Sequence, residues 1–255
     1  MTDASSEIAT HLPETFILWD IDHTLIENGG VSKETYALAF ELLTGRVPSV
    51  RPSTDGRTDF QIMHELLSAN SINADKYVDI TQFECFLVEA MERNAPQLPQ
   101  RGHILPGVIE ALAALLSMPT VIQSVLTGNI AFNARKKLGA FNLEAWFDLD
   151  VGGFGSDDKI RSNLVNAARQ RASIKYGRIF NQSSTILIGD TILDIKAAHD
   201  GNAKVLAVAT GAFSARQLIE AGADMVLDNL ANTDHFIASL TRLRTAAHRQ
   251  PDSKP

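Results

Sequence analysis

Residues 16–25 read FILWDIDHTL. An apolar run long enough for one buried strand ends abruptly in Asp20 and Asp22, with only Ile21 between them and Thr24 two residues further on. Taking a carboxylate out of water costs several kcal/mol unless it is paired, hydrogen-bonded or bound to metal. A core strand that delivers two of them to one end therefore implies a site at that end.

Outward from this stretch, apolar runs rich in β-branched residues recur: TVIQSVLTG (120–128), WFDLDVGG (146–153), STILIGD (184–190), AKVLAVAT (203–210) and DMVLDN (224–229). Their hydrophobicity is continuous rather than alternating, which predicts strands covered on both faces, as in a parallel sheet. Between them VIEALAALL, NARKKL, IRSNLVNAARQRA and ILDIKAAHDG carry apolar residues at helical spacing. This alternation predicts an α/β domain, doubly wound around a parallel sheet with right-handed crossovers.

One interval breaks the alternation. Residues 23–119 separate the first two expected strands, where a single crossover helix would suffice. Within it SKETYALAFELLTG, FQIMHELLSAN and ITQFECFLVEAMERN read as helices, with Ser32 as the N-cap and Gly45 as the stop of the first. The expected organisation is a core of residues 15–31 and 101–246, a helical insertion at 32–100, and flexible termini at 1–14 and 247–255. Because the insertion directly follows the aspartate pair, it reads as a lid over the strand ends.

Composition narrows the partners. Of 255 residues, 45% are apolar and 21% charged, which is globular, and the net charge of -7 repels nucleic-acid phosphates and anionic membranes. Cys85 stands alone, so neither an intrachain disulfide nor a cysteine metal cluster is available. The polar N-terminus and the lack of any span-length apolar run fit a cytoplasmic protein.

In open α/β sheets, ligands sit beyond the carboxyl ends of strands near a topological switch point. The run at 120–128 ends in Thr127-Gly128-Asn129, and the run at 184–190 in Gly189-Asp190, followed by Thr191 and Asp194. Each alone has a plain reading as a helix cap or first-turn acid. Together, three strands send carboxylates and hydroxyls to one edge. Converging carboxylates call for a cation, and hard oxygen donors without a histidine or cysteine cluster point to Mg²⁺. A magnesium ion beside a helix N-terminus suits phosphate, and a carboxylate can itself be the nucleophile.

DIDHT (20–24), LTGN (126–129), a basic residue at 159–161 and GDTILD (189–194) resemble the four ordered motifs of the haloacid dehalogenase (HAD) superfamily. The likeness runs over about residues 15 to 240. The insertion resembles a C1-type cap, and the core segments resemble phosphoglycolate-phosphatase-like hydrolases. The resemblance implies Asp20 as nucleophile toward phosphorus and Asp22 as the acid/base. It also implies Thr127, with Thr24, Gly128 and Asn129 nearby, around the phosphoryl group. Mg²⁺ would be held by Asp20, Asp190, the backbone carbonyl of Asp22 and, directly or through water, Asp194.

The basic motif residue is Lys159 or Arg161: Lys159 takes the family lysine's place by counting back from the following helix, although the usual prolines are missing, and Arg161 could reach the same spot. His23, where glycine is common, receives no chemistry. Arg57, in DGRTDFQIMHELL, opens an insertion helix and suits a second anionic group on the substrate.

The expected activity is Mg²⁺-dependent hydrolysis of a small phosphorylated metabolite. The alternatives are a phosphomutase, a dehalogenase (which would lack Asp22), a phosphonatase using Lys33 or Lys76, and a non-catalytic binding module.

Overall fold

Strand β1 (Thr15–Trp19) is buried at every residue and is paired on both edges. The computed structural model describes residues 15–245; the termini expected to be flexible, 1–14 and 247–255, lie outside the described residues. The other sheet strands are β4 (Val121–Thr127), β5 (Gly153–Phe154), β6 (Thr185–Gly189), β7 (Lys204–Val208) and β8 (Met225–Leu227). They form one six-stranded sheet in the order β5-β4-β1-β6-β7-β8, parallel throughout. The α/β architecture is as the sequence predicts.

Helices cover both faces, and β1 shows why. Ile17 and Trp19 join an apolar cluster with α5 (Val108–Leu116) and α10 (Thr233–Thr245) through Leu112, Phe236 and Leu240. Phe16 and Leu18 point the other way, against Leu164 and Val165 of α7 (Arg161–Tyr176) and Ile195 of α8 (Ile192–Asp200). Period-two alternation thus splits one continuous apolar run between two cores. Trp19 keeps its polar atom satisfied through Gln123, at 3.2 Å.

The chain moves from β1 to β4 on one side and returns to β6 on the other, so β1 lies at the switch point. Trp19 is level with both Val125 and Ile188, which brings the residues after β1, β4 and β6 to one edge.

Between β1 and β4 the chain leaves the sheet. It passes through β2 (Ile26–Glu27), helices α1 (Val31–Thr44), α2 (Asp59–Ala69), α3 (Thr81–Asn94) and α4 (Leu98–Arg101), and then β3 (His103–Ile104). Helices α1, α2 and α3 share an apolar cluster that includes Tyr36, Phe40, Met63, Phe83 and Leu87. β2 and β3 pair antiparallel, Ile26 opposite Ile104, so the outgoing and incoming chains run side by side. Gly29 (φ 61°) is needed at this crossing, because a Cβ there would lie 2.5 Å from the Arg101 carbonyl oxygen.

Two local expectations are corrected. Most of WFDLDVGG is not a strand: 3₁₀ turns at Glu144–Trp146 and Leu149–Val151 precede the two-residue β5. Asp148 causes this, since its carboxylate caps Asp150 N–H and binds Lys175 and Tyr176, giving the backbone a competitor to the ladder. Ser32 is not the N-cap of α1. The helix starts at Val31 after Gly30 (φ 83°), and the Ser32 hydroxyl turns to Asp22. Gly45 does end α1, in the left-handed region at φ 71°. Among the described residues, no helix is long and apolar enough to cross a membrane.

Candidate active site

Two strand ends, those of β1 and β6, and the first turn of α8 build the acidic half of the cleft. Asp20 follows β1, its N–H held by the Ile188 carbonyl at 2.8 Å. Asp190 follows β6 and accepts from the Thr24 hydroxyl at 3.1 Å. Asp194 lies in the first turn of α8, where its carboxylate takes the Thr191 N–H (3.0 Å) and hydroxyl (2.7 Å) in a capping box. Gly189 admits it, since a Cβ there would sit 2.4 Å from Asp194 Cγ. Arg161 opens α7 and directs one nitrogen, Nη2, at both Asp194 (2.5 Å) and Asp20 (3.0 Å).

Asp20, Asp190 and Asp194 are buried, and each offers an oxygen within 4.8 Å of the others. Burial, the principal cause, raises Asp20 to about 7; Arg161 opposes this, while Asp194 and Asp22 add to it. Asp190 is pushed well above the ordinary carboxylate range by burial and then by Asp194 and Asp20. One guanidinium faces three carboxylates, which leaves surplus negative charge out of water. A hard divalent cation with oxygen ligands fits that donor set.

Asp22 lies in the opposite kind of surroundings. One carboxylate oxygen accepts from Asn28 Nδ2 (2.9 Å) and Ser32 Oγ (3.4 Å), the other from Asn129 Nδ2 (3.0 Å) and Lys137 Nζ (2.6 Å). Burial alone would raise its pKa. The charge and hydrogen bond of Lys137, with the Asn129 bond, overcome that and pull it down to about 2. Asn129 also donates to Thr127 Oγ1 at 2.7 Å, tying the end of β4 into the same network.

The helical insertion roofs the cleft. Asp59 N–H donates to the Gly128 carbonyl at 2.8 Å and Thr58 Oγ1 to the Lys159 carbonyl at 3.1 Å. The buried Asp59 carboxylate receives Tyr36 OH (2.6 Å) and Ile130 N–H (2.8 Å), while burial raises its pKa to about 6. Gly56 (φ 69°) approaches so closely that a Cβ would lie 2.4 Å from Thr191 Oγ1. Thr54, Asp55 and Arg57 thereby join Asp20, Asp22 and Thr127 in the cleft wall.

The structure therefore gathers Asp20, Asp22, Thr24, Thr127, Gly128, Asn129, Asp190 and Asp194 at one edge. Of the two basic candidates, Arg161 is the one beside Asp20. Lys159 is exposed, with its ammonium over the Phe60 ring at 5.6 Å. Arg57 lines the cleft, yet its guanidinium binds Glu65 and Ser53, each at 3.1 Å. Lys33 and Lys76 are exposed and lie outside the cleft wall. His23 lies in the cleft wall with left-handed backbone (φ 59°), its Nδ1 2.9 Å from Glu27.

Sequence reasoning missed Asn28, Ser32, Tyr36, Asp59 and Lys137. Only Lys137 left a usable signal. It falls three residues after Ala134 and one before Leu138, on the inward face of α6 (Ala131–Ala140), where an apolar residue is expected.

A parallel sheet with acids from its switch point under a helical insertion defines a HAD-like architecture. The HAD-hydrolase-like family model matches residues 159–233. No curated protein matches. Solved structures share the fold. A predicted phosphatase from Clostridium acetobutylicum is 15% identical with a TM-score of 0.64, covering 89% of this chain and 99% of that one. A predicted phosphoglycolate phosphatase from Haemophilus somnus is 17% identical with a TM-score of 0.62, covering 88% and 98%. A HAD hydrolase of family IA, variant 3, from Entamoeba histolytica is 19% identical with a TM-score of 0.63, covering 91% and 100%. The chain shares the HAD-like fold with these structures, and within it residues 159–233 match the HAD-hydrolase-like model.

Proposed function

We propose that this protein is a Mg²⁺-dependent phosphatase that hydrolyses a small phosphate monoester through an aspartyl-phosphate on Asp20. The observation that carries the reading is the pair Asp20 and Asp22. One sits in an acidic cluster beside Arg161 and the other is held apart by donors, so two neighbouring carboxylates are given different work.

Asp20 attacks phosphorus in line, and the ester oxygen leaves. Asp22 protonates that oxygen, then takes a proton from the water that cleaves the acyl phosphate. It is a carboxylate as it stands, the form the second half-reaction needs; for the first it takes a proton from a monoanionic phosphate ester and passes it to the leaving oxygen. Thr127 and the backbone N–H groups around Gly128 and Asn129 bind phosphoryl oxygens. Arg161 neutralises charge there, and its buried Nε, which has no partner among the described residues, supplies a further donor. Asp20, Asp190 and Asp194, with the Asp22 carbonyl, would hold Mg²⁺, which when bound offsets the negative charge of the transferring group.

Residues 32–100 serve as the cap on a core of 15–31 and 101–246. The substrate is a phosphorylated metabolite small enough to lie beneath the 54–58 loop, phosphoglycolate being one candidate. A cytoplasmic setting suits the single exposed Cys85.

Phosphate release from a panel of phosphorylated metabolites, with Mg²⁺ and with excess EDTA, tests the reading. Turnover is expected only with the metal, together with a phosphorylated Asp20 trapped in the intact protein. Undiminished turnover in EDTA would overturn the metal assignment. A product that keeps its phosphate would replace hydrolase with mutase.

A further inference from the structure

Lys137 is 1% exposed, a charged side chain inside the core, and none of the four motifs includes it. Its ammonium donates to Asp22 Oδ2 at 2.6 Å and to Asn129 Oδ1 at 2.7 Å. Burying such a pair seldom stabilises a fold, and an apolar side chain of the same length would fill the space at less cost. Of the other buried positions of α6, Ala134 and Leu138 are apolar, and Asn133 is polar but uncharged. Something other than packing therefore accounts for the lysine.

The donors around Asp22 fall into two groups. Asn28, in the crossing on the core side, and Ser32, in the first turn of the insertion, hold Oδ1. Asn129 and Lys137, which hold Oδ2, belong to the core. Of the Oδ1 donors, Ser32 belongs to the insertion and would move with it, whereas both Oδ2 donors stay with the sheet.

We propose that Lys137 is a positioning residue: from within the core it grips one oxygen of Asp22 and aims the carboxylate at the reacting oxygen, whether or not Ser32 of the insertion is in place. Lys137 does not line the cleft, so it acts through Asp22 and Asn129 and not on substrate. The role rests on the phosphatase reading of the same site, and part of its test is independent of activity.

Lys137→Met keeps length and removes the charge. On an alkyl phosphate, whose leaving group needs a proton, kcat is expected to fall about 10²-fold with little change in KM. On an activated aryl phosphate the loss should stay within about fivefold. The Asp22→Asn/Lys137→Met double variant should be no slower than Asp22→Asn alone, because a residue acting through Asp22 has nothing left to act on. Lys137→Ala leaves room for a small amine, and methylammonium should restore turnover with Asp22 present but not with Asn at that position. Equal losses on both esters, multiplying losses in the double variant, or no amine rescue would each overturn the proposal. Crystal structures of wild type and Lys137→Met read the positioning directly. A displaced Asp22 carboxylate in the variant is expected, and an unmoved one overturns the role even if the wild type hydrolyses no ester, the result that would sink the phosphatase reading separately.

Discussion

Asp20 and Asp22 stand two residues apart on one strand end, yet the protein surrounds them in opposite ways. Asp20 lies among other carboxylates with one guanidinium for relief, and is raised from 3.8 to about 7, with burial the leading cause. Asp22 is ringed by an ammonium, two amides and a hydroxyl, and is lowered to about 2 despite burial. The lesson is that spacing in the sequence brings the two groups together, while residues far away in the chain decide what each can do.

The comparison breaks most cleanly at Asp20. Asp20→Asn should abolish turnover and phosphoenzyme together, read by phosphate release and intact mass; residual turnover with a trapped phosphoenzyme would move the nucleophile elsewhere. Asp22→Asn should cost about 10²–10⁴-fold on poor leaving groups and far less on activated ones. A uniform loss across a leaving-group series would remove Asp22 from proton transfer.

Arg161→Ala should lower kcat/KM by about 10²–10³-fold, as for other electrostatic donors to a transition state. Lys159→Ala should stay within about fivefold, the ceiling for an exposed charge. Steady-state kinetics that rank the two the other way would contradict the placement of Arg161 beside Asp20.

A smaller effect appears in stability. Asp20 binds its proton more tightly in the folded state, so its contribution is fully present below about pH 4 and lost as pH rises through about 7. Asp22 has the opposite sign: its contribution is present above about pH 4 and lost as pH falls through about 2. Metal-free protein should therefore melt at a lower temperature at pH 8 than at pH 5, and Mg²⁺ should raise the melting temperature more at pH 8. Calorimetry at the two pH values, with and without the ion, checks the sign. A metal-free protein that is more stable at pH 8 would contradict the crowded-carboxylate account.

The smallest effect is expected at Arg57, already engaged by Glu65 and Ser53. Arg57→Ala should raise KM for a dianionic ester by only about threefold and leave an aryl phosphate unchanged.

Much of this was legible because the signals are local. The continuous apolar runs that became β1, β4 and β6 announced a two-faced parallel sheet, and the acids at their ends announced an edge site. Asp20, Asp22, Thr127, Asp190 and Asp194 could be placed from strand ends and motif spacing alone. WFDLDVGG failed because Asp148 offers the backbone side-chain partners, which an apolar pattern does not report. Arg161 could not be separated from Lys159, since two residues on a turn differ only in the direction the helix gives them. Asp59 was invisible because its partner Ile130 meets it only after the insertion has folded back, and Asn28 and Ser32 because the turn that carries them back to Asp22 leaves no mark in an apolar pattern.

The side-by-side crossing of β2 and β3 also bears on how the chain folds. β1 must pair with β4 across the whole inserted segment, and a featureless loop between Ile26 and Ile104 would cost about 4 kcal/mol in closure entropy before its length-independent part. The pairing of Ile26 with Ile104 closes that excursion locally, and the apolar cluster of α1–α3 gives the segment its own reason to collapse. Once the insertion has formed, the sheet experiences a connection only as long as the residues outside this pair.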